Sequence, residues 1–480
     1  MKHPKAIYYL FFFEMWERFS YFGMRAILTL YMIQQLKLPY NTSFIIYGAF
    51  TTFVYMTSIF GGLLADKFFG HKESVKHGAI LIIAGHILLS FPSIHSVNSD
   101  IGLYIGLSFL SIGTGFFKPN IPVIFGNLYD KNDIRRDSGF TIFIFGINLG
   151  SLLATVSVPI VAQEFGWHYG FGLAAIGMSF GLVIFIYGDK LGVYKSNKSI
   201  DSNKNKKSPV LIYLISLTVI PALVYIFIKP NNIGYILGIV GCFYITYFSY
   251  KVKSDHSIGI NDSKNIILIS LICIIFFAFF EQSGSSMVMF IENFVDRKIF
   301  QFTTPIPSGS FKSLNPLFIF LLAPIFIKLW YFLNKKYENS MLLYVKFSFG
   351  LLFIGLGFGV LSLAANSITP GYKISMMWIV ICYFFYTLGD LCISPIALSA
   401  MTKHAPNKYS GLMIGGFYLN IAFANYISSL IAVNVNTDPI GYSLVYKYIL
   451  LICIFIFLLL LTSSILFKKT KKLTLKYLFT

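Results

Sequence analysis

The chain has 480 residues, 56% of them hydrophobic and 12% charged, with a mean hydropathy of +0.72. Soluble domains carry about 25% charged residues and a single soluble core stops growing near roughly 250–300 residues, so a soluble globular protein is excluded. The net charge of +19 does not mark a nucleic-acid binder, because the excess sits in short loops and not on one soluble face. In chain order, apolar windows predict spans at 6–33, 44–69, 77–97, 101–127, 139–163, 169–190, 210–229, 232–250, 264–295, 314–334, 341–365, 374–402, 409–433 and 442–467. At a span length of ~20 residues these are about 14 helices. Barrel strands would alternate over ~10-residue segments, and no such pattern occurs. Lipid forces every backbone group to be satisfied internally. The fold class is therefore an all-α integral membrane protein.

The opening MKHPK leads into a segment too long and too charged for the apolar core of a signal peptide. Loop charge orients the spans. With the N-terminus inside, the inner segments carry about 25 Lys and Arg and the outer ones about seven. Both termini are thus expected in the cytoplasm. The longest polar stretch between spans, YKSNKSIDSNKNKKSP at 194–209, reads as a flexible linker. The expected plan is a six-helix bundle over 1–192, a linker with two accessory helices over 193–262, and a second six-helix bundle over 263–480. Cys242, Cys273, Cys382, Cys392 and Cys453 all lie in apolar spans without paired spacing, so disulfides and metal sites are not expected. They read as small packing residues.

The first span contains FFFEMWERFSYFGMR, residues 11–25. Each charge at the centre of a span costs about 2.5–3.5 kcal/mol, so Glu14, Glu17, Arg18 and Arg25 need a reason to be there. On a helix Glu14, Glu17, Arg18, Tyr21 and Arg25 share an arc of roughly 100°. Two acids and two bases make a nearly neutral stripe that suits a polar interior. Other spans add single charges: Lys118 in SIGTGFFKPN, Glu281 in FFAFFEQSGSS and Asp390 in YTLGDLCISP. Asn148 in GINLGS and Asn315 in SLNPLF are amides beside Gly or Pro. Any one of these suits helix-to-helix bonding. As a set drawn from both halves, the ionisable groups mark a substrate or proton pathway.

A second motif closes the second span: GGLLADKFFGHK, where Gly62, Asp66, Lys67, Gly70 and Lys72 make G-x-x-x-D-K-x-x-G-x-K. An acid at a helix end followed by a tight basic loop suits a cytoplasmic latch. It resembles the loop signature of the major facilitator superfamily, in which two six-helix halves rock about a midplane site. His71, His95 and His256 are read in loops, and His86 in the third span as a hydrogen-bonded core residue. No H-E-x-x-H or acidic metal cluster occurs, which argues against an enzyme. GTGFF at 113–117 lacks the G-K-S/T of a nucleotide loop.

Several motifs together resemble one family. EMWERFSYFG is similar to the E-x-x-E-R-F-x-Y-Y-G signature of the proton-dependent oligopeptide transporters. GGLLADKFFG, GTGFFKPN, FFEQSGSS, SLNPLFI and TLGDLCISPIALS follow in that family's order, and its bacterial members share the 6 + 2 + 6 plan. The resemblance implies a major facilitator fold and a proton-coupled symporter of di- and tripeptides in the bacterial inner membrane. It implies a monomer with no cofactor, protons being the coupling ion. Glu14, Glu17 and Arg18 would form the proton-coupling cluster with Lys118. Arg25 would pair with Glu281 in an extracellular gate that breaks on protonation. Arg25 and Lys118 would meet the peptide carboxylate. Asp390, Asn148 and Asn315 would meet its amino group. Tyr21, Tyr55, Phe277 and Phe417 would line the pocket.

The chain departs from the family pattern at Phe22 in place of a tyrosine, Phe277 and Phe417 in place of tryptophans, Lys312 in place of a glutamine, and Asp390 in place of a glutamate. A carboxylate one methylene shorter reaches an amino group less directly, or through water. A symporter of another zwitterion or an anion, such as an amino acid, a peptidomimetic or nitrate, is the competing expectation. The carboxylate at Asp390 favours ligands with an amino group.

Overall fold

Each of the fourteen expected spans holds a helix in the computed structural model, which describes residues 3–91, 100–130, 133, 135–194, 209–254, 259–299, 304–336, 339–403, 410–435 and 437–478. The helices are α1 (Ala6–Leu30), α2 (Tyr40–Leu64), α3 (His71–Ser90), α4 (Ile101–Phe117), α5 (Ile121–Gly126), α6 (Arg135–Phe165), α7 (Trp167–Lys190), α8 (Pro209–Ile228), α9 (Ile233–Ser254), α10 (Ile260–Phe280), α11 (Ser286–Phe294), α12 (Leu314–Lys336), α13 (Asn339–Asn366), α14 (Met377–Lys403), α15 (Ser410–Val433) and α16 (Pro439–Leu478). Among the described residues, 12 helical stretches have the length and hydropathy to cross a membrane. α1 and α3 are outside that set although they are 25 and 20 residues long. At a 1.5 Å rise even the shorter spans ~30 Å, the thickness of the hydrocarbon core. Most of the expected linker, 195–208, and His95 and His256 lie outside the described residues.

Two spans are interrupted inside the membrane. The window 101–127 divides into α4 and α5 at Lys118–Asn120, where Pro119 stops the ladder. The Asn120 amide donates to the Phe116 carbonyl at 2.7 Å, filling the gap. The window 264–295 divides into α10 and α11 at a tight turn, Glu281–Gly284. There Ser286 Oγ donates to the Gln282 side-chain oxygen at 2.6 Å.

The chain forms two compact units. The first holds Met1–Ile245 with Ile306–Ser313 and Ile421–Leu430. Its spine is α1, buried on nearly every face and packed on α6 and α7. On the side of α1 opposite the charged stripe, Phe12 is exposed, while Met15, Phe19 and Ala26 are buried. Small residues permit close helix contact. A Cβ on Gly78 of α3 would come within 2.6 Å of the Gly113 carbonyl of α4. The turn Ser308–Ser313 lies on α1 and α6, and Lys312 Nζ donates to the Arg25 carbonyl at 3.2 Å. The second unit holds Thr246–Pro305, Leu314–Asn420 and Ile431–Thr480. Its spine is α13, which packs on α14 and α16. Buried Cys382, Cys392 and Cys453 sit against Gly357, Gly350 and Gly355 of α13. Strands β1 (Val295–Asp296) and β2 (Ile374–Ser375) pair in parallel in the same unit.

Two expectations about histidines change. His71 is the first residue of α3 and not a loop residue: α2 runs on through a wide turn, Ala65–Phe69, and one left-handed glycine, Gly70 at φ 81°, turns the chain straight into α3. Only glycine adopts that φ without strain. His86 is buried, and among the described residues neither ring nitrogen has a hydrogen-bond partner. Its helix packs on α4 and α7, and its other buried residues are mainly apolar or small.

Candidate functional site

In the first unit, α1 sets Glu14, Glu17, Arg18, Tyr21 and Arg25 one above another, all buried. Arg18 Nε lies 2.9 Å from Glu14 Oε1 and 2.5 Å from Glu17 Oε2. Arg18 thus faces both carboxylates of the stripe at ion-pair distance. Gly150 of α6 lies against the Met15 carbonyl and the Arg18 Cβ, so a bulkier residue there would hold α6 away from the stripe. Lys118 stands at the α4–α5 interruption. Its ammonium is 3.6 Å from the centre of the Tyr55 ring and close enough to act on both Glu14 and Glu17. The expected set Glu14, Glu17, Arg18, Lys118, Tyr21 and Tyr55 is therefore one cluster.

Further along α1, Arg25 donates through Nε and a terminal nitrogen to the Tyr47 hydroxyl, at 3.0 and 2.7 Å. Its guanidinium also lies 5.3 Å from the centres of both the Tyr21 and Tyr47 rings. Arg18 is 5.7 Å from the Tyr21 ring, so that ring has a cation on each side along the helix. Such contacts contribute about 0.5–2 kcal/mol each. Lys312 Nζ is 5.8 Å from the Tyr47 ring. Asn148 is only half-buried, and its amide donates to the Ile144 carbonyl of its own helix at 3.0 Å.

In the second unit, Asp390 is held by neutral groups. Ser394, one turn on in α14, donates its hydroxyl to the carboxylate, and the Asn315 amide bonds it from α12. Asn315 also donates to Thr387 Oγ1 at 3.2 Å. Tyr386 stacks on Phe280 with ring centres 4.2 Å apart, and its hydroxyl donates to the Phe280 carbonyl. That carbonyl ends α10 just before the interruption at Glu281. The same hydroxyl lies within electrostatic range of Glu281 and Asp390. Phe277 and Phe417 meet edge to face, 6.2 Å apart. Arg25 belongs to the first unit and Glu281 to the second.

The motif at the end of α2 is also ordered by ion pairs. Asp66 approaches His71 Nε2 at 3.4 Å, and His71 Nδ1 meets Asn120 Oδ1 at 2.9 Å. Lys72 and Lys76 grip Asp189 of α7 at 3.1 and 2.7 Å. Gly62 faces Pro119, and Lys67 is exposed. Among the described residues no three His, Cys, Asp or Glu side chains are grouped to hold a metal ion.

The family description "POT family" matches residues 73–444. The chain belongs to the POT family. An uncharacterized transporter, YclF, of Bacillus subtilis (strain 168) is 34% identical over 442 residues, covering 90% of this chain and 88% of the relative. A di-/tripeptide transporter of Lactococcus lactis subsp. lactis is 36% identical over 446 residues, covering 87% and 86%. A solved structure of peptide transporter POT in complex with sulfate superposes with a TM-score of 0.84 at 33% identity, over 96% of this chain and 94% of that one. The fold is therefore that of POT transporters, and the chain is a multi-pass membrane protein.

In this POT chain the stripe at 14–25 precedes the range the family description matches, while Lys118, Asn148, Glu281, Asn315, Asp390 and Phe417 fall inside it. Four residues around the site were passed over in the sequence. Tyr47 and Tyr386 are two of 31 tyrosines, and no local pattern singles them out. Asn120 follows Lys-Pro inside an apolar window, a signal for a helix interruption that needs a capping amide. Asp189 ends a long apolar span next to Lys190 and reads as a boundary charge.

Proposed function

We propose that the chain is a proton-coupled symporter that imports di- and tripeptides by alternating access, without catalysing a reaction. Membership of a family whose relatives include a di-/tripeptide transporter supports the reading. The observation that carries it is the pair of buried polar centres. One is rich in cations, with Arg18, Arg25, Lys118 and Lys312. The other presents Asp390 on neutral donors. A zwitterionic peptide requires both kinds of end group. Arg25 and Lys118 take the carboxylate; Asp390, Asn315 and Asn148 take the amino group; Tyr21, Tyr55, Phe277 and Phe417 line the pocket. Glu14, Glu17, Arg18, Lys118 and Glu281 carry the coupling. A carboxylate that alternates between a cationic partner and none binds a proton in one state and releases it in the other. The inward membrane potential adds about 2.3 kcal/mol per charge per 100 mV.

The division into 1–192, 193–262 and 263–480, a monomeric state, and a bacterial inner-membrane location with both termini cytoplasmic complete the proposal. Loop charge supports the orientation. One observation favours a second substrate, another zwitterion with a longer reach to its amino group: the short Asp390 side chain bonds back to Ser394 on its own helix.

The deciding experiment is uptake of labelled dialanine and trialanine into proteoliposomes, with and without an inward proton gradient and potential. Gradient-driven uptake competed by unlabelled peptide is expected. No peptide uptake by either the wild type or Asp390→Glu, with 5-aminolevulinic acid taken up instead, would replace the peptide by the second substrate.

A further inference from the structure

A cavity of about 350 Å³ lies in the first unit between α2, α4 and α8, and the transport reading makes no use of it. Phe53, Met56, Phe60, Ile112, Val219 and Leu223 are among the residues of its largely apolar wall. Two side chains on the wall carry hydroxyls, and both are already occupied. Thr57 Oγ1 reaches the Phe53 and Ser111 carbonyls, each at 2.7 Å. Ser216 Oγ donates to the Ile212 carbonyl at 2.9 Å and meets His77 Nε2 at 2.8 Å. The wall therefore offers water no set of partners, and cavities of this kind stay dry or take apolar guests. A peptide guest would leave its amides without partners at a cost.

The surroundings identify the guest. All three helices belong to membrane-crossing stretches. Phe60 is 52% and Val219 38% exposed, so the cavity reaches the outer surface of the spans, where hydrocarbon is the medium. Along α2 it runs from Phe53 to Leu64. At 1.5 Å per residue that is ~16 Å, about half of the ~30 Å hydrocarbon core and thus the depth that one leaflet fills.

We infer that this cavity binds one acyl chain of a phospholipid from the leaflet at the Leu64 end of α2, seating α8 against α2 and α4. The chain fills space that the helices alone leave empty, and His77 through Ser216 sets the apolar wall by turning its polar atoms inward.

The test uses the full chain, purified in dodecyl maltoside, stripped of lipid and titrated with dioleoyl phosphatidylglycerol, with bound lipid counted by native mass spectrometry. One tightly retained lipid per chain is expected. Met56→Trp, which fills the cavity, should lower retention at least about fivefold. Leu321→Trp, at an exposed site on α12, should leave retention unchanged. Equal retention in wild type and Met56→Trp overturns the inference. Wild type in dioleoyl phosphatidylglycerol vesicles with a trace of diazirine-tailed phosphatidylcholine gives a second reading that needs no variant. Adducts should concentrate at 53–64 and 215–223; labelling there no denser than around Leu321 also overturns it. Neither readout involves uptake, so the inference stands or falls separately from the transport reading.

Discussion

The carboxylates of α1 and the carboxylate of α14 are buried in the same protein but held by opposite means. Glu14 and Glu17 lie against Arg18 at 2.9 and 2.5 Å with Lys118 nearby, so that part of the first unit is a closed set of charges. Asp390 in the second unit rests on a hydroxyl and an amide. Removing one member of the first set leaves a charge buried and uncompensated. Removing Asp390 leaves only neutral groups. The first arrangement fixes side chains in place; the second leaves a carboxylate able to accept a cationic guest without an ion pair being broken. Glu281 and Lys118 share a further feature: each stands where a spanning helix is interrupted, and the freed backbone is satisfied locally, by Tyr386 at Phe280 and by Asn120 at Phe116.

The comparison has consequences in order of size. Glu281→Gln should abolish proton-driven accumulation, so that the ratio of peptide inside to outside falls to about 1 while peptide exchange across the membrane continues. Wild-type uptake should rise as external pH falls, and the variant's should not. Persistent accumulation in Glu281→Gln would move coupling to the α1 cluster. Next, Arg18→Met should destabilise the protein by about 3–5 kcal/mol in detergent unfolding titrations, the cost of a broken buried ion pair. Asp390→Asn should cost only about 1–3 kcal/mol in the same titration, because it disturbs hydrogen bonds alone. Costs of equal size would remove the distinction between the two centres.

Smaller effects test the edges of the first unit. Lys312→Gln should lose about 1 kcal/mol with the bond to the Arg25 carbonyl, and competition by acidic dipeptides should weaken more than competition by neutral ones. His86→Leu should go the other way. It removes two buried nitrogens that have no partner among the described residues and should raise stability by about 1 kcal/mol. A loss instead would mean that the ring is held by a partner outside the described residues.

The spans, the charged stripe and the loop motif were legible in the sequence because each is a local property. Hydropathy over ~20 residues reports the solvent a helix needs, and a 100° repeat reports which side chains share a face. Glu14, Glu17, Arg18 and Arg25 declare themselves by the cost of their charge. The pairing of Asp390 with Asn315, 75 positions earlier, and of Lys72 with Asp189 became definite only when the chain was folded. So did the places of Tyr47 and Tyr386, whose hydroxyls meet an arginine and a broken helix end that no nearby residue announces. His86 shows the opposite failure: a polar residue in a span is expected to find a partner, and tertiary packing supplied none among the described residues. Sequence by itself determined which segments cross the membrane and which charges needed compensation, since both follow from transfer free energies of single residues and short windows. Tertiary structure alone decided which groups compensate them, because hydrogen bonds and ion pairs act over a few ångströms between residues far apart in the chain.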